Sequence, residues 1–200
     1  MAASLSHGKL VIISGPSGAG KSTLVELLLE QCDLPLSLSV SATTRPPRGD
    51  EKDGVAYHFL EKDEFNKLRD SGKFLEYKDV FDRGDWYGTL RDSVTSGLDG
   101  GDWVILEIDI QGAHAVLESV PDATTIFVHA GSIDELERRL IKRNTDTTES
   151  IHRRLQVARN EMSLAKDYQY EVENADPLTA MSEICTILKE VGEHTDAGRT

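Results

Sequence analysis

The chain has 200 residues, which is enough for one substantial hydrophobic core and gives no reason to expect two independent domains. Its 22 basic and 35 acidic side chains leave a formal charge of −13, which disfavours nucleic acid or an anionic membrane as the main partner. Residues 1–8 lack the apolar stretch of a signal peptide and no window approaches a membrane span, so we expect a cytoplasmic protein. Cys32 and Cys185 lie in apolar helical contexts and are expected to be buried thiols rather than a disulfide or a metal site.

The first elements of the chain enclose a phosphate-binding motif. Lys9–Ser14 predicts a buried strand, and residues 21–30 carry leucines at helical spacing. The loop between them fits G-x-x-x-x-G-K-[ST] at every position, and its glycines let backbone N–H groups converge on a polyphosphate at a helix N-terminus. The motif predicts that Lys21 neutralises the β and γ oxygens and that the Ser22 hydroxyl completes a Mg²⁺ shell. Its residues are Gly15, Pro16, Ser17, Gly18, Ala19, Gly20, Lys21 and Ser22.

The rest of the chain alternates strand and helix patterns. Strands are expected at 36–41, 103–109, 125–128 and 170–174, and helices at 63–71, from Ser132, from 146–149 to Leu164, and from Pro177 to near Gly192. Ser132 begins a capping box, and Asp176 followed by Pro177 suits the start of the last helix. This order predicts an α/β fold with a parallel sheet core flanked by helices and joined by right-handed crossovers.

A phosphate-binding loop serves several enzyme classes, so the rest of the chain must identify the acceptor. Asp109 and Gly112 match the D-x-x-G of GTPases, but no base-reading N-K-x-D follows, which argues against a GTPase. Six of the twelve arginines fall between 138 and 159. We interpret Arg139, Arg143 and Arg154 as a clamp in a lid that excludes water from phosphoryl transfer. The remaining three, Arg138, Arg153 and Arg159, are interpreted as solvated and paired with acids.

Four motifs, in this order and at similar spacing, resemble guanylate kinases over residues 9–191. They are the phosphate-binding loop, Thr43-Thr44-Arg45-Pro46-Pro47-Arg48, Tyr87-Gly88-Thr89 and Ile108-Asp109-Ile110-Gln111-Gly112. The resemblance implies transfer of the γ-phosphoryl group of MgATP to GMP, and to dGMP, giving ADP and GDP in purine nucleotide metabolism. It also implies a core at about 9–40 and 91–191, a GMP-binding segment at about 41–90, a lid at about 139–155 and a mobile tail at about 193–200.

The site residues follow from the resemblance, position by position. Glu76 would accept the guanine N1–H and N2 amino hydrogens, a pair of donors that adenine does not offer. Ser41 and Thr89 would contact the O6 and N7 edge, and Asn174 would lie near the donor adenine.

Asp109 would lie near the acceptor phosphate and orient Arg45 or metal-bound water, while Glu107 suits a metal shell; their division of labour stays open. The GMP phosphate would be held by Arg45, Arg48, Tyr57 and Tyr87.

The chain departs from the family pattern at a few places, and two other functions stay open. Residues 79–86 are about two longer than usual with Trp86 replacing a Tyr, Asn144 stands where Gly is frequent, and the neighbours of Asn174 differ. A kinase for another nucleoside monophosphate is one alternative. The other is a binding-only module of the kind that uses the GMP site for phosphopeptides, although such domains generally lack the intact loop found here.

Overall fold

The structure is a computed structural model that describes residues 8–79, 84–142 and 147–197, with side chains up to residue 193. The described chain divides into two compact units. The first unit combines the start of the chain up to Val11 with Ser37–Ala123, and the second combines Ile12–Leu36 with the chain from Thr124 onward. Strand β1 (Lys9–Ser14) contributes residues to both units.

The second unit holds the phosphate-binding motif. After β1, helix α1 (Lys21–Gln31) follows, and strands β8 (Thr124–His129) and β9 (Tyr170–Glu173) pair in parallel with Ile126 opposite Tyr170. In this unit β8 lies between β1 and β9. Its other helices are α5 (Ile133–Lys142), α6 (Thr148–Met162), a 3-10 turn at Ala165–Asp167, and α7 (Pro177–Ala197).

The first unit contains strands of two sheets. Strand β7 (Trp103–Glu107) lies between β2 (Leu36–Leu38) and the first half of β1. A smaller sheet has the order β4-β3-β6-β5, made of β3 (Ala42–Thr43), β4 (His58–Phe59), β5 (Phe74–Asp79) and β6 (Trp86–Leu90). Both β3 and β5 run antiparallel to β6. The helices are α2 (Lys62–Asp70), α3 (Arg91–Asp99) and α4 (Ile110–Ser119).

Each unit buries apolar side chains of its own. In the second, Leu136 and Leu140 of α5 pack with Leu155 and Ala158 of α6, which is why the two helices lie against each other. In the first, Phe65 of α2 stacks on Phe74 of β5 with ring centroids 4.5 Å apart, and this pair fastens α2 to the small sheet.

The predicted α/β class, with a parallel sheet core flanked by helices, is confirmed. Strand β1 has the predicted bounds, and β7 ends at Glu107 rather than Asp109 because Asp109 caps α4, its carboxylate accepting from the Gly112 N–H at 2.9 Å. The last helix continues beyond Gly192 to Ala197. The domain boundaries given above stay a prediction.

The expectation for the cysteines is wrong. Cys32, which ends α1, and Cys185 of α7 form a disulfide with 5.9 Å between their Cα atoms, and both residues are only half-buried. Both helices belong to the second unit and pack along each other, which brings together two thiols that are 153 residues apart in sequence. Sequence separation therefore gave no indication of their distance in space.

Candidate functional site

The phosphate-binding loop takes a backbone course that glycine makes possible. Gly15, Gly18 and Gly20 have φ values of 139°, 93° and 90°, a region that L side chains rarely adopt. At Gly15 a Cβ atom would lie 2.0 Å from the carbonyl oxygen of Val128, so the loop begins in close contact with the backbone of β8. The loop then passes directly into the first turn of α1, and the N-terminus of a helix suits an anion.

Lys21 and Ser22 stand at the start of that helix. The ammonium group of Lys21 donates to the carbonyl oxygens of Gly15 at 2.6 Å and Pro16 at 3.1 Å, so this cation lies across the loop whose amides it supplements. Ser22 is exposed in the first turn of α1. The contacts of Lys21 with phosphate and of Ser22 with metal stay predictions of the motif.

Asn174 supports the loop from the end of β9. Its side-chain amide donates to the Ala19 carbonyl oxygen at 2.8 Å, and a Cβ atom at Gly20 would lie 2.5 Å from the same amide nitrogen. The side chain is 2% exposed, and its Oδ1 has no hydrogen-bond partner in the described part of the chain. Asn174, predicted to lie near the donor adenine, thus contacts the phosphate-binding loop itself.

The predicted lid arginines are placed in part. Arg139 of α5 is 25% exposed, donating from Nε to Glu135 at 2.9 Å and from Nη2 to the Asn174 carbonyl oxygen at 2.7 Å. Arg154 of α6 is half-buried, and Arg143 lies outside the described residues. Arg138 forms a bidentate pair with Glu135, as expected of a solvated arginine. Hydrogen bonds from Arg138 and then Arg139 lower the pKa of Glu135 to about 2.

A buried carboxylate marks the first unit. Glu76 of β5 is 8% exposed, and its Oε1 accepts a 2.7 Å hydrogen bond from the Thr89 hydroxyl on β6. Burial is the main cause that raises the pKa of Glu76, and the charge of Asp109 adds to it, while the Thr89 hydroxyl and Lys78 act in the opposite direction. Its other oxygen, Oε2, lies 3.2 Å from the place where Gly112 would carry a Cβ.

Asp109 and Lys78 adjoin this carboxylate. Besides capping α4, Asp109 forms an ion pair with Lys78, which follows Glu76 on the same face of β5. Sequence reasoning missed Lys78; its spacing of two from Glu76 along a strand is the signal that could have found it. One of the expected roles of Asp109 is to orient Arg45. Among the described contacts of Arg45, none is with Asp109; its side-chain hydrogen-bond partners are Tyr87, Pro46 and Glu51.

Arg45 is the second buried charge of the first unit, at 5% exposure. Its Nε donates to the Tyr87 hydroxyl at 2.9 Å, and its guanidinium lies 5.4 Å from the Tyr57 ring and 5.8 Å from the Phe59 ring. Burial raises the pKa of the Tyr57 phenol. The structure thus brings Arg45, Tyr57 and Tyr87 together, as the resemblance implies.

Glu51 completes the Arg45 environment, and sequence reasoning missed it. Its two carboxylate oxygens accept from Nη1 and Nη2 of Arg45 at 2.9 and 3.0 Å. Arg48 is exposed and gives only its backbone N–H to Glu51, at 2.7 Å, while Ser41 is half-buried beside β3. Because Glu51 lies six residues from Arg45 in a loop rich in acids, no periodicity singled it out.

The chain is similar over most of its length to known proteins. The family model described as guanylate kinase matches residues 7–194. Guanylate kinase of Rhodopirellula baltica is 52% identical over 96% of this chain and 92% of its own, and that of Clostridium perfringens strain SM101 is 47% identical over 91% and 83%.

A solved structure gives the same result. The crystal structure of guanylate kinase from Anaplasma phagocytophilum superposes with a TM-score of 0.75 at 32% identity, covering 94% of this chain and 88% of that one. The chain therefore belongs to the guanylate kinase family, the nucleoside monophosphate kinases that transfer a phosphoryl group from ATP to GMP.

Proposed function

We propose that this chain binds GMP through Glu76 and Arg45, binds MgATP through the loop at residues 15–22, and transfers the γ-phosphoryl group between them. The observation that carries the proposal is the buried Glu76 carboxylate, held by Thr89 with one oxygen directed at Gly112. A carboxylate in this environment is costly unless donors pair with it, and guanine offers two adjacent donors. Adenine offers no such pair, so the same site selects against AMP.

The acceptor phosphate is proposed to bind at Arg45, Arg48, Tyr57 and Tyr87. Arg45 supports this because its guanidinium is already oriented by the Tyr87 hydroxyl and by two aromatic rings. A planar guanidinium with fixed orientation suits a phosphate that must stand in line for attack. Ser41, Thr89 and Asp109 are proposed contacts of the guanine side of the same substrate.

The donor phosphates are proposed to lie on the backbone amides of the loop, with Lys21 on the β and γ oxygens. The positive φ values of Gly15, Gly18 and Gly20 give the loop a course that other residues rarely adopt, and the exposed Ser22 hydroxyl is an oxygen ligand of the kind that Mg²⁺ prefers. Within the described residues no cluster of three acids, histidines or cysteines could hold a metal, which suits an ion bound largely by nucleotide phosphates and water. Such an ion would neutralise charge on the transferring group.

The lid arginines are proposed to act on the donor. Arg139 and Arg154 lie on neighbouring helices of the second unit, and α5 contacts the loop through Asn174. Arg143 is proposed to act with them. Their positive charge would offset negative charge on the equatorial oxygens of the transition state, which is where phosphoryl transfer draws most of its catalysis.

Location and partners are proposals of the same kind. In the part of the chain that the structure describes, no helix is long and apolar enough to cross a membrane. We propose a cytoplasmic enzyme of purine nucleotide metabolism with ATP and with GMP or dGMP as small-molecule substrates, and without nucleic acid or membrane as a partner. The charge of −13 supports this assignment of partners.

The test is ADP formation from MgATP with GMP, AMP, CMP and UMP as separate acceptors. GMP should be preferred over AMP by roughly 10⁴-fold or more, because unpaired buried hydrogen-bonding groups are costly. Lys21→Met serves as the blank and should lower kcat by about 10³-fold, with Lys67→Met on the exposed side of α2 as its matched control. Phosphorylation of AMP at a rate comparable to that of GMP would contradict the role of Glu76. If the unaltered protein formed ADP with none of the four acceptors, a binding-only module would be favoured.

A further inference from the structure

The guanidinium of Arg45 has few donors left for a substrate. Its Nε donates to Tyr87, Nη1 donates to the Pro46 carbonyl oxygen at 2.6 Å and to Glu51, and Nη2 donates to the other oxygen of Glu51. Four of its five N–H groups are therefore used within the first unit. A phosphate that binds here meets a guanidinium whose plane and direction are already determined.

Glu51 holds more than this one side chain. Its Oε2 accepts from Arg45 Nη1 and also from the backbone N–H of Arg48, while the backbone N–H of Glu51 donates to the Arg48 carbonyl oxygen at 3.1 Å. The carboxylate thus closes the loop of residues 45–51 at both arginines. The pKa of Glu51 is lowered by the hydrogen bonds from Arg45 and then from the Arg48 backbone, so the group is ionised at neutral pH.

We propose that Glu51 is the positioning residue of the acceptor-phosphate site, fixing the guanidinium plane of Arg45 and its spacing from Arg48. This inference rests on the proposed function, because it assigns Glu51 to the phosphate site proposed above. Glu51 does not contact the reacting atoms; it acts through Arg45 and Arg48. Its charge also neutralises a buried arginine while no substrate is bound.

Alternatively, the Glu51 carboxylate could occupy the place of the phosphate and be displaced when GMP binds. The contacts of Glu51 favour the positioning role over this displaced role. A displaced carboxylate would need to contact only the guanidinium, whereas Glu51 also accepts from the Arg48 N–H. Displacement of Glu51 would leave that donor unpaired and open the turn. The carboxylate is also only 28% exposed, and Arg45 keeps one N–H for the phosphate with Glu51 in place.

Glu51→Gln tests the proposal with little change of shape. An amide has one acceptor oxygen, so it cannot accept from both guanidinium nitrogens, and its own N–H groups would face those of Arg45. The matched control is Asp50→Asn, which removes one negative charge from an exposed neighbouring residue. Glu51→Asp keeps the charge but shortens the reach, and it should restore part of the loss.

Titration calorimetry with GMP and with guanosine gives the readout. Glu51→Gln should weaken GMP binding by about 10²-fold and raise KM for GMP accordingly, with guanosine binding and KM for ATP close to those of Asp50→Asn. Tm should be lower than in Asp50→Asn, because the buried Arg45 loses its counter-charge. Unchanged affinity for GMP would overturn the proposal, and tighter GMP binding would show that Glu51 competes with the phosphate. If the unaltered protein bound neither GMP nor guanosine, the proposed function would fail and this inference with it.

Discussion

The Thr89 hydroxyl donates a 2.7 Å hydrogen bond to Oε1 of Glu76, across the antiparallel pair β5 and β6 in which these two residues stand opposite each other. Thr89 therefore determines where one carboxylate oxygen lies. The other oxygen lies 3.2 Å from the place where Gly112 would carry a Cβ atom. The proposed selection of the acceptor rests on this arrangement.

Glu76→Gln should remove preference for GMP. Glutamine has one oxygen acceptor in place of two and presents an amide donor to the donors of guanine, so two charge-assisted hydrogen bonds are lost at about 1.5–3 kcal/mol each. We expect kcat/KM for GMP to fall by at least about 10²-fold while the low activity with AMP stays unchanged. Glu64→Gln, on the exposed side of α2, is the control. An unaltered ratio of GMP to AMP activity would contradict the prediction.

The same substitution should raise stability, and by an amount that depends on pH. Burial raises the pKa of Glu76 above its ordinary value of 4.5, so the stability that the protonated carboxyl contributes is fully present below pH 4.5 and is lost as pH rises through the folded-state pKa. The Tm of the unaltered protein should therefore fall relative to that of Glu76→Gln between pH 4.5 and the folded-state pKa of Glu76. Above that pKa the difference in Tm between the two proteins should stay constant. Urea or thermal unfolding between pH 4 and 9 measures the difference. A difference independent of pH would be inconsistent with a buried ionised group.

Gly15→Ala should destabilise the fold more than a change of backbone preference explains. A Cβ atom there would lie 2.0 Å from the Val128 carbonyl oxygen, which is backbone and cannot rotate away. Gly72→Ala is the matched control, since Gly72 also has positive φ, at 67°, but no heavy atom within 4 Å of the added carbon. Gly72→Ala should lower the free energy of unfolding by about 1–2 kcal/mol. Gly15→Ala should lower it clearly more and should also abolish ATP binding. Equal unfolding free energies for the two variants would rule out the close contact.

Reduction of the disulfide should lower the unfolding free energy. The bond between Cys32 and Cys185 spans 153 residues, a loop whose closure is worth about 5 kcal/mol in the chain-entropy model, with 2–4 kcal/mol typical of measured cases. Dithiothreitol should reduce Tm, and the double variant Cys32→Ser, Cys185→Ser should show the lower Tm with or without the reductant. A double variant as stable as the oxidised protein would argue against a bond that constrains the unfolded chain.

Local patterns in the sequence predicted the parts of the fold that depend on neighbouring residues. The apolar run Lys9–Ser14 and the capping box at Ser132, whose hydroxyl accepts from the Glu135 N–H at 3.1 Å, are found as expected. Helix α4 was not predicted, because the D-x-x-G segment was considered as a nucleotide motif while Asp109 is the N-cap of that helix. A helix cap and a switch motif use the same residue types, and only the surrounding backbone distinguishes them.

Contacts between distant residues were the part that sequence could not supply. The disulfide depends on the packing of α1 along α7, and the pairing of Glu51 with Arg45 depends on the path of a loop without periodicity. The resemblance predicted Arg45, Tyr87, Thr89 and Glu76 as site residues, and their binding roles stay a prediction. Of the residues that hold Arg45 and Glu76 in place, Tyr87 and Thr89 belong to one of the motifs, whereas Glu51 lies outside them and became visible only with the fold.

Arg139 is already engaged, with hydrogen bonds to Glu135 and to the carbonyl oxygen of Asn174. If Arg139 binds a nucleotide, it must give up these hydrogen bonds. The free energy gained from the phosphate is then only the difference between the new hydrogen bonds and the old ones. Asn174 in turn donates to Ala19 of the loop. If Arg139 binds phosphate, it gives up its hydrogen bond to the Asn174 carbonyl oxygen, so the same residue that anchors the loop at Ala19 also holds this arginine in the absence of that contact.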